Sequence, residues 1–223
     1  MKTWLLCLTL LCVALDGAAG TREIKRSQTA IKVLDTMMDS PDQRVPSWLL
    51  EKAYAIAVIP EVVKAGLVVG GRRGKGLVAV RGADGTWSNP SFISITGGSF
   101  GFQAGVQASD VILVFRSPRG IDNLVNGKFT LGADAAVAAG PVGRQAQAST
   151  DGEFEAEIIA YARSRGLFAG IALDGSVLAI DRDANESIYG ADITPRQIFE
   201  GRVRTVPEAI VNFRDALEEQ TAR

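Results

Sequence analysis

The 223-residue chain carries 24 Lys and Arg against 25 Asp and Glu, a net charge of −1, with 24 glycines, two cysteines and no histidine. The charge balance excludes general nucleic-acid binding, which calls for a basic excess. The absence of histidine excludes a Ser-His-Asp triad and any imidazole metal site.

The chain opens with Lys2, an apolar run from Trp4 to Leu15 and the small-residue stretch Gly17-Ala18-Ala19-Gly20. This is the layout of a secretory signal, and the run is shorter than the roughly 20 apolar residues that span a bilayer. Cleavage is expected after Ala19 or Gly20. Residues 1–20 are therefore read as a signal peptide and 21–223 as a single domain, periplasmic or secreted. Cys7 and Cys12 both lie in the signal and neither follows a small residue, so lipid attachment is not expected, and the mature part holds no thiol for disulfide or nucleophile chemistry.

Next, Ile24, Ile31, Leu34 and Met38 share one face of a helical pattern whose other positions include Lys25, Arg26, Gln28, Lys32 and Asp35, ended by Asp39-Ser40-Pro41. Such a face either packs on the core or, with its basic flank, lies on a membrane surface. A second short helix is predicted over 47–53. From Tyr54 the pattern changes to short aliphatic runs, predicting strands over 55–59, 66–69, 76–81, 91–96, 100–107 and 111–115. Turns are read at 70–74, Ala83-Asp84-Gly85 and Gly97-Gly98, so the strands should pair antiparallel. A brief helix is predicted over 117–127. Strands follow over 129–132, 135–139, 157–164, 168–173 and 177–181, the last two joined by Asp174-Gly175. A helix over 207–219 closes the chain, with Ile210, Phe213 and Leu217 on its apolar face. The expected fold is α+β: a Gly-rich antiparallel sheet, open or barrel-like, with amphipathic helices at both ends.

Gly and Ala replace large side chains over 101–107 and 132–140, which means either that another element packs very close or that a cavity is left for an apolar ligand. The segment 70–76, Gly-Gly-Arg-Arg-Gly-Lys-Gly, lacks both the upstream glycine and the Ser or Thr of a nucleotide loop, and its match to the dinucleotide pattern leads into a strand instead of a helix. What remains is a glycine-rich hairpin that gathers Lys64, Arg72, Arg73 and Lys75, suited to phosphate head groups, or else a solvated basic surface. The run Asp181-Arg182-Asp183-Ala184-Asn185 begins like a calcium loop but has Glu186 at its sixth position and Asp192 at its twelfth, so an ordinary turn is expected. Asp110 and Asp134 are read either as a carboxylate pair for hydrolysis or as turn-bonding residues. No residue is assigned to catalysis, to a metal or to a cofactor.

Several long motifs are recognisable. Ala55-Ile56-Ala57-Val58-Ile59-Pro60, Lys64-Ala65-Gly66 with Gly70-Gly71, Gly85-Thr86-Trp87-Ser88-Asn89-Pro90, Gly101-Phe102-Gln103-Ala104-Gly105, Asp110-Val111-Ile112, Gly140-Pro141-Val142-Gly143-Arg144 and the stretch from Tyr161 to Gly170 together resemble the SYLF domain family. The resemblance covers about Val33 to Gly190. Eukaryotic members bind phosphoinositides and act in membrane remodelling and at actin, while bacterial members are exported envelope proteins. The resemblance therefore implies a non-enzymatic, lipid-binding module of the cell envelope whose ligand is phospholipid or fatty acid, peripheral on a membrane. Lipid contact in the family has been linked to an N-terminal amphipathic helix and basic residues, which correspond here to the segment Ile24 to Met38 and to Lys64, Arg72 and Lys75. The alternative is a structural adaptor that docks another envelope protein.

Overall fold

The aliphatic run that begins at Ala55 has no polar side chain to turn toward water, so its strand needs cover on both faces. The computed structural model supplies it, describing residues 2–39, 45–66, 69–100, 105–140, 156–164, 167–168 and 173–222. In chain order the elements are α1 (Lys2–Met38), α2 (Ser47–Glu51), β1 (Ala55–Gly66), β2 (Val69–Val80), β3 (Ser91–Phe100), β4 (Gly105–Phe115) and α3 (Pro118–Asn126). There follow β5 (Lys128–Thr130), β6 (Val137–Ala139), β7 (Ile158–Ser164), β8 (Leu167–Phe168), β9 (Val177–Ile180), α4 (Arg182–Tyr189), α5 (Pro195–Phe199) and α6 (Glu208–Thr221).

The strands form one sheet in the order β5-β9-β3-β2-β1-β4-β7-β6, with β8 also on β7. Every pairing is antiparallel except β6 with β7. The path has two ends, so among the described residues the sheet curls without closing. The expected α+β fold with helices at both termini is the one observed.

Because side chains alternate along a strand, the sheet divides one aliphatic sequence between two cores. Ile56, Val58, Leu77, Ala79, Phe92, Ile112 and Val114 point to an outer face covered by α1, α2 and α4 to α6. Ala55, Ala57, Ile59, Val78, Ile93, Ile95, Val111 and Leu113 point to an inner face, where α3 contributes Ile121 and Leu124 and the sheet's own margin contributes Phe129 and Leu178. Burying each large aliphatic or aromatic side chain contributes about 1.5–3 kcal/mol before chain entropy is subtracted.

Helix α1 buries Ala30, Val33, Leu34 and Met37, at the i, i+3, i+4, i+7 spacing of a core stripe. It is tied to α6 by Ser27 Oγ, which donates to the carbonyl of Ala209 at 2.7 Å, and by Gln220 Nε2, which donates to Asp35 Oδ1 at 3.2 Å. In α6, Ile210, Phe213 and Leu217 are fully buried as their spacing implies.

Three sequence expectations need correction. Gly70–Gly74 and Gly97-Gly98 do not turn; both runs lie inside long strands, β2 and β3. None of these glycines has a positive φ, and two of them serve close approach instead. A Cβ on Gly70 would sit 2.2 Å from the Ala65 carbonyl oxygen, and one on Gly76 would sit 2.2 Å from that of Val58. The run from Asp181 is not a turn but the start of α4, where Asn185 is buried. Helix α5, held by a capping box between Thr194 and Gln197, had no apolar period long enough to announce it. The turns at Gly85 and Gly175 are as expected, each with a positive φ, but β9 pairs with β3 and β5. Residues 101–104 of the strand expected over 100–107, and 169–172 of that over 168–173, lie outside the described residues.

Candidate functional site

Strands β1 to β4 continue past the two cores. The continuation starts at a bulge after Ile59, where Glu61 adopts φ 49° and its N–H is accepted by Asp110 Oδ1 at 3.0 Å. Beyond it the burial of β1 falls from continuous to alternating, and the first four residues of β4 are exposed. This projecting end carries the four cations singled out in the sequence, and the pleat separates them.

Lys64 pairs with Arg72, and Val63 pairs with Arg73. Paired residues share a face, and Arg72 has the parity of Gly74 and Gly76, whose absent side chains would meet Ile59 of the inner core. Lys64 and Arg72 therefore lie on the inner face, while Arg73 and Lys75 lie on the outer one. Four cations adjacent in sequence do not form one site.

Their surroundings differ as well. Lys75 Nζ is 2.8 Å from Asp181 Oδ2, which also receives Arg26 Nη1 at 3.2 Å; Arg26 in turn reaches Glu23 at 3.1 Å and stacks over Phe92. This network pins α1 and the start of α4 to β2, so Lys75 has a structural partner. Arg73 is exposed and, like Lys64, has no ion pair among the described residues. Arg72 is 7% exposed; its Nη1 donates to Ser176 Oγ at 3.0 Å, and its Nε has no partner among the described residues. Burial holds its pKa below the ordinary arginine value. Gly97, paired with Arg72, makes room for this contact, because a Cβ there would stand 2.8 Å from Ser176 Oγ.

Two side chains the sequence reading passed over complete this end. Val106 is 71% exposed and Val63 41%, the two exposed large aliphatic residues among those described. The pairings Val63 with Ala108 and Ala65 with Val106 place them diagonally on the outer face beside Arg73. Ser176 carried no sequence signal, since its approach to Arg72 depends on β9 pairing with β3.

The helix positions singled out in the sequence lie elsewhere. Leu34 is 1% exposed inside the outer core, with Ile31 and Met38 packed against that core and Ile24 half-buried. The exposed cations of α1 among the described side chains are Arg22, Lys25 and Lys32. Their helix thus spends its apolar side on the sheet and α6, and would meet a membrane with that side only by leaving the core.

At the other end of the sheet, roughly 30 Å away along β1, a cleft of about 740 Å³ is lined by Tyr54, Val80, Arg81, Ile121, Arg196 and Phe199, among others. Arg81 there donates to the carbonyls of Leu50 and Glu51 at 3.1 and 2.7 Å and stacks on Trp87, holding the end of α2. The phenol of Tyr54 is pushed up by burial and then by the charge of Asp122. Glu51, Asp122 and Glu200 stand against Lys52, Arg81, Arg116 and Arg196 around the cleft, an excess of one positive charge, and Arg81 is itself engaged by α2.

Among the described glycines of 101–107 and 132–140, a Cβ on Gly132 would meet the Asp174 side chain, while one on Gly105 would meet open space. Val62, Ile59 and Ile95 fill the space beside Gly74, and the Tyr161 ring lies against Gly140. Asp134 accepts from the N–H of Thr130, four residues before it, as a turn-bonding residue does, whereas Asp110 lies within β4 and accepts across the sheet from the N–H of Glu61 at the β1 bulge. No acidic cluster able to hold a metal occurs among the described residues, and no described helix is long and apolar enough to cross a membrane.

Residues 96–220 match the Ysc84 family, described as Las17-binding protein actin regulator. Protein YSC84 of Saccharomyces cerevisiae is 39% identical over 173 residues, covering 75% of this chain and 36% of that protein. LAS seventeen-binding protein 3 of the same yeast is 36% identical over 176 residues, covering 78% and 38%. SH3 domain-containing YSC84-like protein 1 of Mus musculus is 38% identical over 169 residues, covering 75% and 49%. The chain thus spans about a third to a half of the length of these relatives.

Proposed function

The chain belongs to the Ysc84 family, the SYLF family of the sequence motifs, and from that premise we propose that it is a non-enzymatic lipid-binding module that meets a membrane with the projecting end of its sheet. The observation that carries this reading is the coincidence on one exposed face of Val106, Val63 and Arg73, which has no ion pair among the described residues, with Lys64 on the other. Aliphatic side chains that enter the acyl boundary gain by leaving water, and cations beside them meet anionic head groups. The arrangement requires no movement of α1, whose apolar stripe is occupied.

The N-terminal segment directs export in this reading, so the membrane is one of the cell envelope and the ligand an ordinary phospholipid or a fatty acid. Mass spectrometry of the N-terminus of exported protein checks the cleavage after Ala19 or Gly20.

Co-sedimentation with phosphatidylcholine vesicles, with and without phosphatidylglycerol, tests the membrane contact. Binding is expected to need the anionic lipid and to fall when Val106 and Val63 are both changed to Ser. Equal binding by that double variant, or none by the native protein, overturns it. A second reading, a protein adaptor, is favoured by the description of the family as Las17-binding. It predicts a stable complex with an envelope protein and no lipid in the purified material.

A further inference from the structure

A guanidinium stays protonated at any physiological pH, so Arg72 carries its charge into a site that is 93% closed to water, where its one hydrogen-bond partner among the described residues is the neutral hydroxyl of Ser176. Buried charges in proteins are paired or pay a desolvation penalty of several kcal/mol. No carboxylate pairs with Arg72 among the described residues, although Glu and Asp elsewhere satisfy Arg26, Lys75 and Arg119. The Nη1 corner is engaged, and the Nε–H is not. On the same face the paired residue Lys64 adds a second positive charge with no partner among the described residues.

We propose that Arg72, with Lys64 beside it and Ser176 behind it, binds one phosphate monoester or inorganic phosphate on the inner face of the projecting end. Two cations without an acid match the charge of −1.5 to −2 that such a phosphate carries near neutral pH, which a single carboxylate would leave half-balanced. The inference deepens the lipid reading and rests on it only for the source of the phosphate, a head group or the free ion. It also divides the sequence's basic cluster: Arg73 and Lys75, on the other side of the sheet, take no part.

The test follows the Arg Nε–H resonances of the full-length mature protein in a ¹H–¹⁵N spectrum while inorganic phosphate is added in chloride buffer. The Arg72 signal is expected to move and saturate, to vanish in Arg72→Met, to behave normally in Arg73→Ala, and to need about tenfold more phosphate in Lys64→Ala. Arg72→Met is expected to fold and to melt no lower than the native protein without phosphate, because a charge lacking a counter-ion is removed. It should lose the rise in Tm that phosphate gives the native chain. An unresponsive Arg72 signal, or an undiminished rise in Tm for Arg72→Met, overturns the site. So does a lower Tm of that variant in phosphate-free buffer, which would reveal a structural partner.

Vesicles of phosphatidylcholine with and without phosphatidic acid then identify the source. If Arg72→Met loses both phosphate and phosphatidic acid binding, the head group is the ligand. If phosphate binds and no vesicle does, the site stands for the free ion and the lipid reading falls. If vesicles bind Arg72→Met undiminished and phosphate does not bind the native protein, the site falls and the lipid reading stands.

Discussion

Strands β1 to β4 each run through two environments on one unbroken ladder. In their inner halves, Ala55–Ile59, 76–80, 91–95 and 111–115, almost every side chain is buried on one face or the other. In their outer halves the same backbone pairing continues, but the cover stops and the side chains become glycine, cations, small polar residues and two bare valines. Hydrogen bonding is therefore not what separates scaffold from site. The separation is made by what the helices and α3 reach, and the bulge after Ile59 marks its border.

The comparison predicts a gradient of mutational effects. Phe92→Ala, in the inner half of β3, is expected to cost about 3–5 kcal/mol in urea unfolding, since Phe92 is fully buried between Leu77 and the overlying Arg26. A loss under about 1 kcal/mol would mean that the inner half does not carry the stability. Asn185→Ala should cost about 1–3 kcal/mol. Its Oδ1 accepts from the N–H of Phe92 at 2.8 Å and its Nδ2 donates to Ser91 Oγ at 3.0 Å, so the change leaves buried groups of the inner half unpaired.

Tyr161 and Tyr189 sharpen the comparison with pH. Burial raises both phenols above their ordinary value of 10.0. A raised folded-state pKa contributes stability that is complete below the unfolded value and is lost as pH climbs above it. Unfolding free energy should therefore hold up to about pH 10 and decline beyond. Tyr161→Phe should flatten that decline with little change at neutral pH, because its hydroxyl has no hydrogen-bond partner among the described residues. Tyr189→Phe should flatten it too, at a cost of about 1 kcal/mol at neutral pH, since its hydroxyl donates to the Pro90 carbonyl at 2.6 Å. Chemical denaturation from pH 7 to 11 measures both. The smallest effect belongs to the outer half: Val106→Ser is expected to change stability by less than about 0.5 kcal/mol while weakening vesicle binding. A large loss of stability there would place Val106 in the scaffold after all.

The terminal helices and α3 were legible as helices because apolar residues recur at helical spacing; Ile210, Phe213 and Leu217 are buried as that spacing requires, while in α1 the buried stripe is Ala30, Val33, Leu34 and Met37, with Ile24, Ile31 and Met38 at its margin. The aliphatic runs were legible as strands for a similar reason. Their ends were not. Gly70 to Gly74 and Gly97-Gly98 read as turns, since glycine permits a turn; it also permits close packing, and only the neighbouring strand reveals which property is used. The missed helix α4 starts on Asp181, whose carboxylate is engaged by Arg26 and Lys75 from distant parts of the chain.

By itself the sequence determined the family, the α+β class and the chemistry that is missing, because those follow from residue types and ordered motifs. It also gathered the basic residues Lys64, Arg72, Arg73 and Lys75 into one segment. Only the tertiary structure decided that they part into two pairs, that Lys75 is held by Asp181, and that Arg72 lies buried beside Ser176. The reason is geometric: a strand throws successive side chains to opposite faces, and which face is covered depends on pairing partners that are remote in sequence.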